Sequence, residues 1–270
     1  MTQDEAKRLV AKRAAELVED GTVVGLGTGT TATLFIRELA ARKLKIRCVA
    51  SSDASHELGL SLGMDVRPLA ELPELDVYID GADEVCVAGG GGLNLIKGGG
   101  GALLREKIVA SAAKEFIVVA DSTKLVEVLG KFPLPVEIIQ MALPLVGPKL
   151  ADLRFTPKLR MAKSIPQGLK PLPLGGGENA KETQGSSPGL PALAYLEAKG
   201  VALEAKGAGQ PFITDEGNYI LDCWSTGIAE PESTAAEIRS IIGVVEHGLF
   251  LGMATLALVA GEDGVREYRT

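Results

Sequence analysis

Apolar positions along the chain repeat with two periods, and the changes between them outline the elements. Thr2 and Glu5 have the spacing of a capping box. Behind them Ala6, Leu9, Val10, Ala14, Leu17 and Val18 fall on one helical stripe that Gly21 ends. "TVVGL" (22–26) is a short apolar run and predicts a buried strand. "GTGTTATLFIRELAARK" (27–43) predicts a glycine turn entering a helix. "IRCVASS" (46–52) and "SHELGLSLG" (55–63) repeat the strand–helix pair. "DVYIDGADEV" (76–85) predicts one strand with acids at its C-terminal end. "GALLREKIVASAAKE" (101–115) predicts a helix and "FIVVADS" (116–122) the next strand. Strands alternating with helices predict an α/β fold, its mostly parallel sheet covered by helices on both faces.

The period changes after 130–139. "PKLRMA" (157–162) and "FITDEGNYILDCW" (212–224) predict antiparallel strands, the second with a turn at Asp215, Glu216, Gly217 and Asn218. "PESTAAEIRSIIG" predicts a helix, "VVEHGLF" a strand, and "ATLALVAG" (254–261) a strand returning to the main sheet. The expected organisation is a large domain, 1–131 and 251–270, around a smaller α+β domain, 132–250. Within the latter, about 163–208 is rich in Pro, Gly and Ser. Nearby, Leu196–Ala202 is repeated as Leu203–Gly209. That composition predicts an extended connection between two strands rather than core.

Composition narrows the possible roles. The 270 residues are 46% hydrophobic, enough for a sizeable core. A net charge of −7 argues against a nucleic-acid partner, which recruits basic surface. Cys48, Cys86 and Cys223 are widely spaced and form no CxxC, which predicts free thiols in a reducing compartment. Only His56 and His247 are available for imidazole chemistry, so a histidine metal site is not expected. The first 21 residues are charged throughout and no apolar run reaches 18 residues. We therefore expect no signal peptide, no membrane contact and a cytoplasmic protein. Cys48 and Cys223 are expected in the core, His56 on a helix surface, and Met141, Met161 and Met253 as gap fillers.

Three stretches carry candidate chemistry. In "GLGTGTTA" (25–32) a tight turn, bare amides and a helix N-terminus attract phosphate, with Thr28, Thr30 and Thr31 adding hydroxyls. The stretch lacks both GxGxxG spacing and a Walker lysine, which favours a monophosphate over a nucleotide. Asp80, Asp83 and Glu84 crowd a strand end, where open α/β sheets bind ligands. Crowded carboxylates have raised pKa values suited to proton transfer. In "NLIKGGGGALLREK" (94–107), Lys97 leaves a strand and Gly98, Gly99, Gly100 and Gly101 allow close approach of main chain to a ligand. Glu106 enters the next helix. A lysine stabilises a developing oxyanion and a glutamate carries a proton. Lys124 follows a strand end, within reach of an anion.

Taken in order, "VGLGTGTTA", "SSDAS", "YIDGADEV", "LIKGGGGALLREKIVA", "VVADSTKLVEVLGKFPLPVEI", "TDEGNYILD" and "GVVEHGLF" resemble ribose-5-phosphate isomerases of the A type, over about 1–162 and 209–266. The resemblance implies a Rossmann-like large domain and a ferredoxin-like small one. It also implies interconversion of ribose 5-phosphate and ribulose 5-phosphate, without metal or organic cofactor, in a homodimer or homotetramer. Glu106 would shuttle a proton through a cis-enediolate and Lys97 would stabilise its charge. Asp80 and Asp83 would hold sugar hydroxyls and assist ring opening. Thr28, Gly29, Thr30, Thr31, Lys7 and Lys124 would bind the phosphate, and Gly98–Gly101 the sugar oxygens. Two departures stand out. The 84–96 stretch is a few residues long, through Gly89–Gly92, and 163–208 has no expected counterpart. Coenzyme A transferases, sugar-phosphate deaminases and non-catalytic sugar-phosphate sensors resemble the same fold. A sensor is expected to need a DNA-binding helix-turn-helix, for which residues before 22 leave no room, and basic surface, which a net charge of −7 does not offer.

Overall fold

A computed structural model describes residues 1–89, 91–162 and 210–270. The chain begins with α1 (Gln3–Glu16), capped by the reciprocal Thr2–Glu5 box, and its buried stripe is Ala6, Val10, Ala11, Ala14 and Ala15. There follow β1 (Val23–Leu26), α2 (Thr30–Ala41), β2 (Arg47–Ala50), α3 (Asp53–Ser61), β3 (Asp65–Val66) and β4 (Leu75–Gly81). A hairpin of β5 (Glu84–Val87) and β6 (Leu93–Ile96) leads to α4 (Leu103–Ser111) and β7 (Ala113–Asp121). Beyond lie β8 (Leu134–Ile138), α5 (Leu143–Asp152), β9 (Thr156–Leu159), β10 (Tyr219–Trp224), α6 (Pro231–Arg239), β11 (Val244–His247), β12 (Leu249–Leu251), β13 (Leu256–Gly261) and β14 (Gly264–Arg269).

Seven strands form the main sheet in the order β14-β13-β7-β4-β1-β2-β3, parallel except for β14. Their side chains alternate between two apolar layers. Ile117 and Val119 of β7 face α1 and α2, while Phe116 and Val118 face α4 and the β5–β6 hairpin. Burial on both faces explains why these strands read as unbroken apolar runs.

The expected strand over 76–85 is two. β4 stays in the main sheet and stops at Gly81. The chain then turns, and Glu84–Val87 pairs antiparallel with Leu93–Ile96 in a separate three-stranded sheet, β12-β6-β5. The helix expected to 115 stops at Ser111, because Ala113–Glu115 already pair with β4.

The order β8-α5-β9-β10-α6-β11, with strands arranged β11-β8-β10-β9, is a split βαβ pair of ferredoxin-like form. Its core is Leu134, Val136, Ile138, Val146, Leu150, Leu159, Leu221 and Ile238. Past β9 the ladder continues: Phe212 N–H donates to Arg160 O and Ala162 N–H to Gln210 O, both at 2.9 Å. The stretch 163–208 lies outside the described residues. Cys48 and Cys223 are core residues as expected, but Met141 is not a gap filler: it is 89% exposed.

Candidate functional site

The site forms at the C-terminal end of the parallel strands, where β1 and β4 are neighbours. After β1 the chain passes Asp80 so closely that a Cβ on Gly27 would lie 2.3 Å from Oδ1. Asp80 Oδ1 accepts the amides of Thr28 (2.9 Å) and Gly81 (2.7 Å). Its Oδ2 accepts the Tyr78 hydroxyl and Lys97 Nζ, the latter at 2.8 Å. Asp80 has no exposed surface and is absent from the cavity lining. Protein donors thus occupy both Asp80 oxygens, which brace Lys97 and the 27–28 turn.

Lys97 leaves β6 and is 2% exposed. Besides Asp80, its ammonium donates to Gly81 O at 2.6 Å and lies 3.3 Å from Glu106 Oε2. Glu106 stands in the first turn of α4, 3% exposed, and its Oε2 has no hydrogen-bond partner among the described residues. Asp83 is held opposite Lys97 by the hairpin register: Glu84 faces Ile96, and Asp83 N–H donates to Ile96 O at 2.8 Å. Gly89, Gly91 and Gly92 lie beyond the Val87–Leu93 pair at the hairpin's far end, and the register at its base is kept.

The glycine run has a cause at three of its four positions. A Cβ on Gly98 would meet Leu103 at 2.8 Å, one on Gly99 would meet Asp83 at 2.6 Å, and one on Gly101 would meet Phe212 at 2.4 Å. Gly98 and Gly101 also have φ of 104° and 91°. Gly101 backs onto Phe212 and is not part of the cavity lining. Gly99 N–H donates to Asp83 Oδ2 at 2.8 Å.

A cavity of about 120 Å³ is lined by Lys7, Thr28–Thr31, Gly81–Asp83, Lys97–Gly100, Glu106 and Lys124. It brings together every candidate residue except Asp80, Glu84 and Gly101. Among the described residues no side chain caps α2, so its first-turn amides are left for an anion at this end of the cavity. Thr28 is braced rather than free, its hydroxyl within 3.0 Å of both Ser51 and Ser52 hydroxyls. Glu84 turns the other way and accepts the amides of Gly130 and Phe132. A larger cavity of about 370 Å³ lies around Thr22, Asp76 and Lys114, but no buried charges converge there.

Burial pushes the Glu106 carboxyl well above its ordinary value; Lys97 opposes this, and Asp80 and Asp83 add to it. Burial alone would depress Lys97, but the carboxylates of Asp80 and Glu106 outweigh it and raise its pKa. Burial also raises Asp83, against the Gly99 amide and the nearby cations. The result is a desolvated carboxyl poised to exchange a proton, beside an ammonium that keeps its charge.

Sequence reasoning missed Tyr78, whose fully buried hydroxyl bonds Asp80 two residues along the same strand face. A period-2 reading of "YIDG" contains that signal. It also missed Arg160 and Phe212, which reach the glycine loop from the small unit and carry no local signature. Among the described residues no group of three or more His, Cys, Asp or Glu is arranged to hold a metal ion. No helix among them is long and apolar enough to cross a membrane.

The family model described as ribose 5-phosphate isomerase A (phosphoriboisomerase A) matches residues 47–171 and 191–264, leaving 172–190 unmatched. A model of the DeoR C terminal sensor domain matches residues 2–58. The chain is 41% identical to a ribose-5-phosphate isomerase A of Caulobacter sp. (strain K31), over 98% of each chain. It is 33% identical to the solved ribose 5-phosphate isomerase A of Methanocaldococcus jannaschii, with TM-score 0.78 and all of both chains covered. A solved D-ribose-5-phosphate isomerase in complex with phospho-erythronic acid gives TM-score 0.80 at 30% identity, again over all of both chains.

Proposed function

The chain belongs to the ribose 5-phosphate isomerase A family and is an aldose–ketose isomerase interconverting ribose 5-phosphate and ribulose 5-phosphate; we propose that Glu106 moves the proton and Lys97 bears the charge. The observation that carries this is the buried Glu106 carboxyl, unpartnered at Oε2 and 3.3 Å from the Lys97 ammonium, on the cavity wall.

The substrate phosphate sits at the α2 N-terminus with Thr30, Thr31, Lys7 and Lys124, which places C1 and C2 toward Glu106. The glutamate takes the C2 proton of the aldose, and the electron pair moves onto the C1 carbonyl oxygen. The cis-enediolate is stabilised there by Lys97; the O2 hydroxyl proton passes to O1 and the carbon-bound proton returns to C1, leaving the carbonyl at C2. Hydrogen moves within the sugar, so no second substrate is consumed. Asp83, on the cavity lining, hydrogen-bonds a sugar hydroxyl during ring opening. The complex of a relative with phospho-erythronic acid supports a cavity that accepts phosphorylated sugar acids.

We assign the enzyme to the cytoplasm, in keeping with its free cysteines. We further propose a homo-oligomer. Exposed Ile139, Met141, Leu145 and Ile242 lie on segments joined by the Ile139–Gly243 hydrogen bond, an apolar patch of the kind that pairs. Sedimentation of a monomer at micromolar concentration removes that part.

Ribulose 5-phosphate formation in D2O with excess EDTA tests the chemistry, run beside Glu106→Gln. The parent incorporates solvent deuterium into the product. The variant loses about 10²–10⁴ in turnover while still binding ribose 5-phosphate. Near-parental turnover in the variant removes Glu106 as the base.

A further inference from the structure

The glycine loop is held from behind by a side chain of the small unit. Arg160 lies just past β9, its main-chain N–H bonded to Ile220 O at 2.9 Å. Its guanidinium is paired in a fork with Asp222: Nε to Oδ2 at 2.9 Å, and Nη2 to Oδ1. Nη1 is thereby aimed away from β10, and it donates to Gly98 O at 2.9 Å and lies 3.4 Å from Gly99 O. The Arg160 side chain is only 13% exposed. A planar fork of this kind fixes direction as well as charge, which a lysine ammonium does not.

Two successive peptide planes are set by this contact. In a trans peptide the C=O and N–H point opposite ways. The Gly98–Gly99 unit has its C=O on Arg160 and its N–H on Asp83 Oδ2 at 2.8 Å, so both ends are fixed. The Gly99–Gly100 unit has its C=O turned toward the same guanidinium. Its N–H, belonging to Gly100, therefore points to the opposite side. Gly100 lines the cavity, and its amide has no protein acceptor among the described residues. Unrestrained glycine peptides flip readily, because no Cβ opposes either orientation.

We propose that Arg160, braced by Asp222, is a positioning residue for the isomerisation. It holds the Gly100 N–H aimed at the oxygens of the open-chain sugar, and it keeps the Gly99 N–H on Asp83. This rests on the cavity being the isomerase site and on Asp83 acting within it. The contribution concerns the reacting end of the substrate. The phosphate end, at α2, makes no contact with Arg160.

The test uses the full chain carrying Arg160→Lys and, separately, Asp222→Asn. For each we would measure kcat and KM for ribose 5-phosphate, inhibition by inorganic phosphate, and the melting midpoint. Arg160→Lys should lower kcat by about tenfold to a hundredfold, the scale of a small misplacement at a reacting centre. Phosphate inhibition should stay within about twofold of the parent. Asp222→Asn, which keeps the arginine but loosens it, should show a smaller loss of the same kind. If Arg160→Lys does not fold, Asp222→Asn decides by the same readings. A kcat within twofold of the parent in the folded variant overturns the proposal. So does a loss of phosphate inhibition that parallels the loss of kcat, since that signals general collapse. Glu106→Gln measured alongside separates the two claims: full turnover there removes the base assignment without bearing on the Arg160 comparison.

Discussion

The two sides of α4 carry the same pair of residue types in opposite states. On the cavity side, Lys97 meets Glu106 and Asp80, both nearly or fully buried. On the far side, Lys107 donates to Glu246 (2.8 Å), His247 O (2.6 Å) and Leu249 O (2.9 Å). The Phe250 ring is shared between them, its centroid 5.5 Å from one ammonium and 4.8 Å from the other. Lys97 has its pKa raised, because two carboxylates and Asp83 outweigh burial. Lys107 is pulled down to about 8, because burial and Arg239 outweigh the single Glu246. Their carboxylate partners are also opposed. Burial raises Glu106 despite Lys97, whereas Lys107, the His247 amide and the neighbouring imidazole bring Glu246 below its ordinary value despite burial. The count of carboxylates around a buried lysine thus separates a reacting pair from a fastening pair.

Removing the front lysine should have the largest effect. Lys97→Met takes away the charge proposed to face the enediolate and should lower turnover by roughly 10²–10³, the loss of one preorganised donor at an oxyanion. Turnover near that of the parent would mean that the front pair does not work as described.

Lys107→Met should instead act on stability. It takes the ammonium from Glu246, which keeps Arg239 and the His247 amide, and from two carbonyls, a cost of about 3 kcal/mol for a broken buried pair. At ~2–4 °C per kcal/mol, the melting midpoint falls by roughly 6–12 °C. The pH dependence sharpens the contrast. Between about 8 and 10.5 an unfolded lysine keeps the proton that folded Lys107 has released, so this group's contribution to stability rises with pH across that window. Glu106 does the reverse. Folded, it holds a proton above the ordinary 4.5, so its contribution falls as pH rises from there toward its folded value. Melting midpoints across pH should show the upper rise flattened in Lys107→Met alone; an unchanged rise assigns it to other groups.

The smallest effect belongs to the anion end of the cavity. Lys124→Ala should raise KM by about tenfold, near the ~1.5 kcal/mol of one charge-assisted hydrogen bond, with kcat little changed. An unchanged KM removes Lys124 from the phosphate site.

What the sequence made legible was local. The βα turn at 28–31, Asp83 after β4 and the Lys97–Glu106 stretch each lie in one short segment, and all reach one cavity. β8 escaped notice because Pro135 lies in it, although β8 sits between β11 and β10. Proline usually excludes a central strand, but here its neighbours supply the ladder. α5 was hidden the same way, by Pro144 and Pro148. The full set of Asp80 contacts could not be read, since Thr28 and Lys97 come to it from two other segments of the chain. Arg160 is 62 residues from the Gly98 carbonyl it holds, and nothing near it in the chain marks that contact.

The β5–β6 hairpin separates chemistry from length. Asp83 and Lys97 stand at its open end, and four residue pairs, Glu84–Ile96 to Val87–Leu93, carry the chain away from them. At ~3.4 Å per residue the closed end begins about 14 Å from the site. Residues can be gained or lost there in pairs without altering which side chains face each other at the base. That tip is therefore the place where a reporter dye or an affinity handle can be grafted onto a working enzyme.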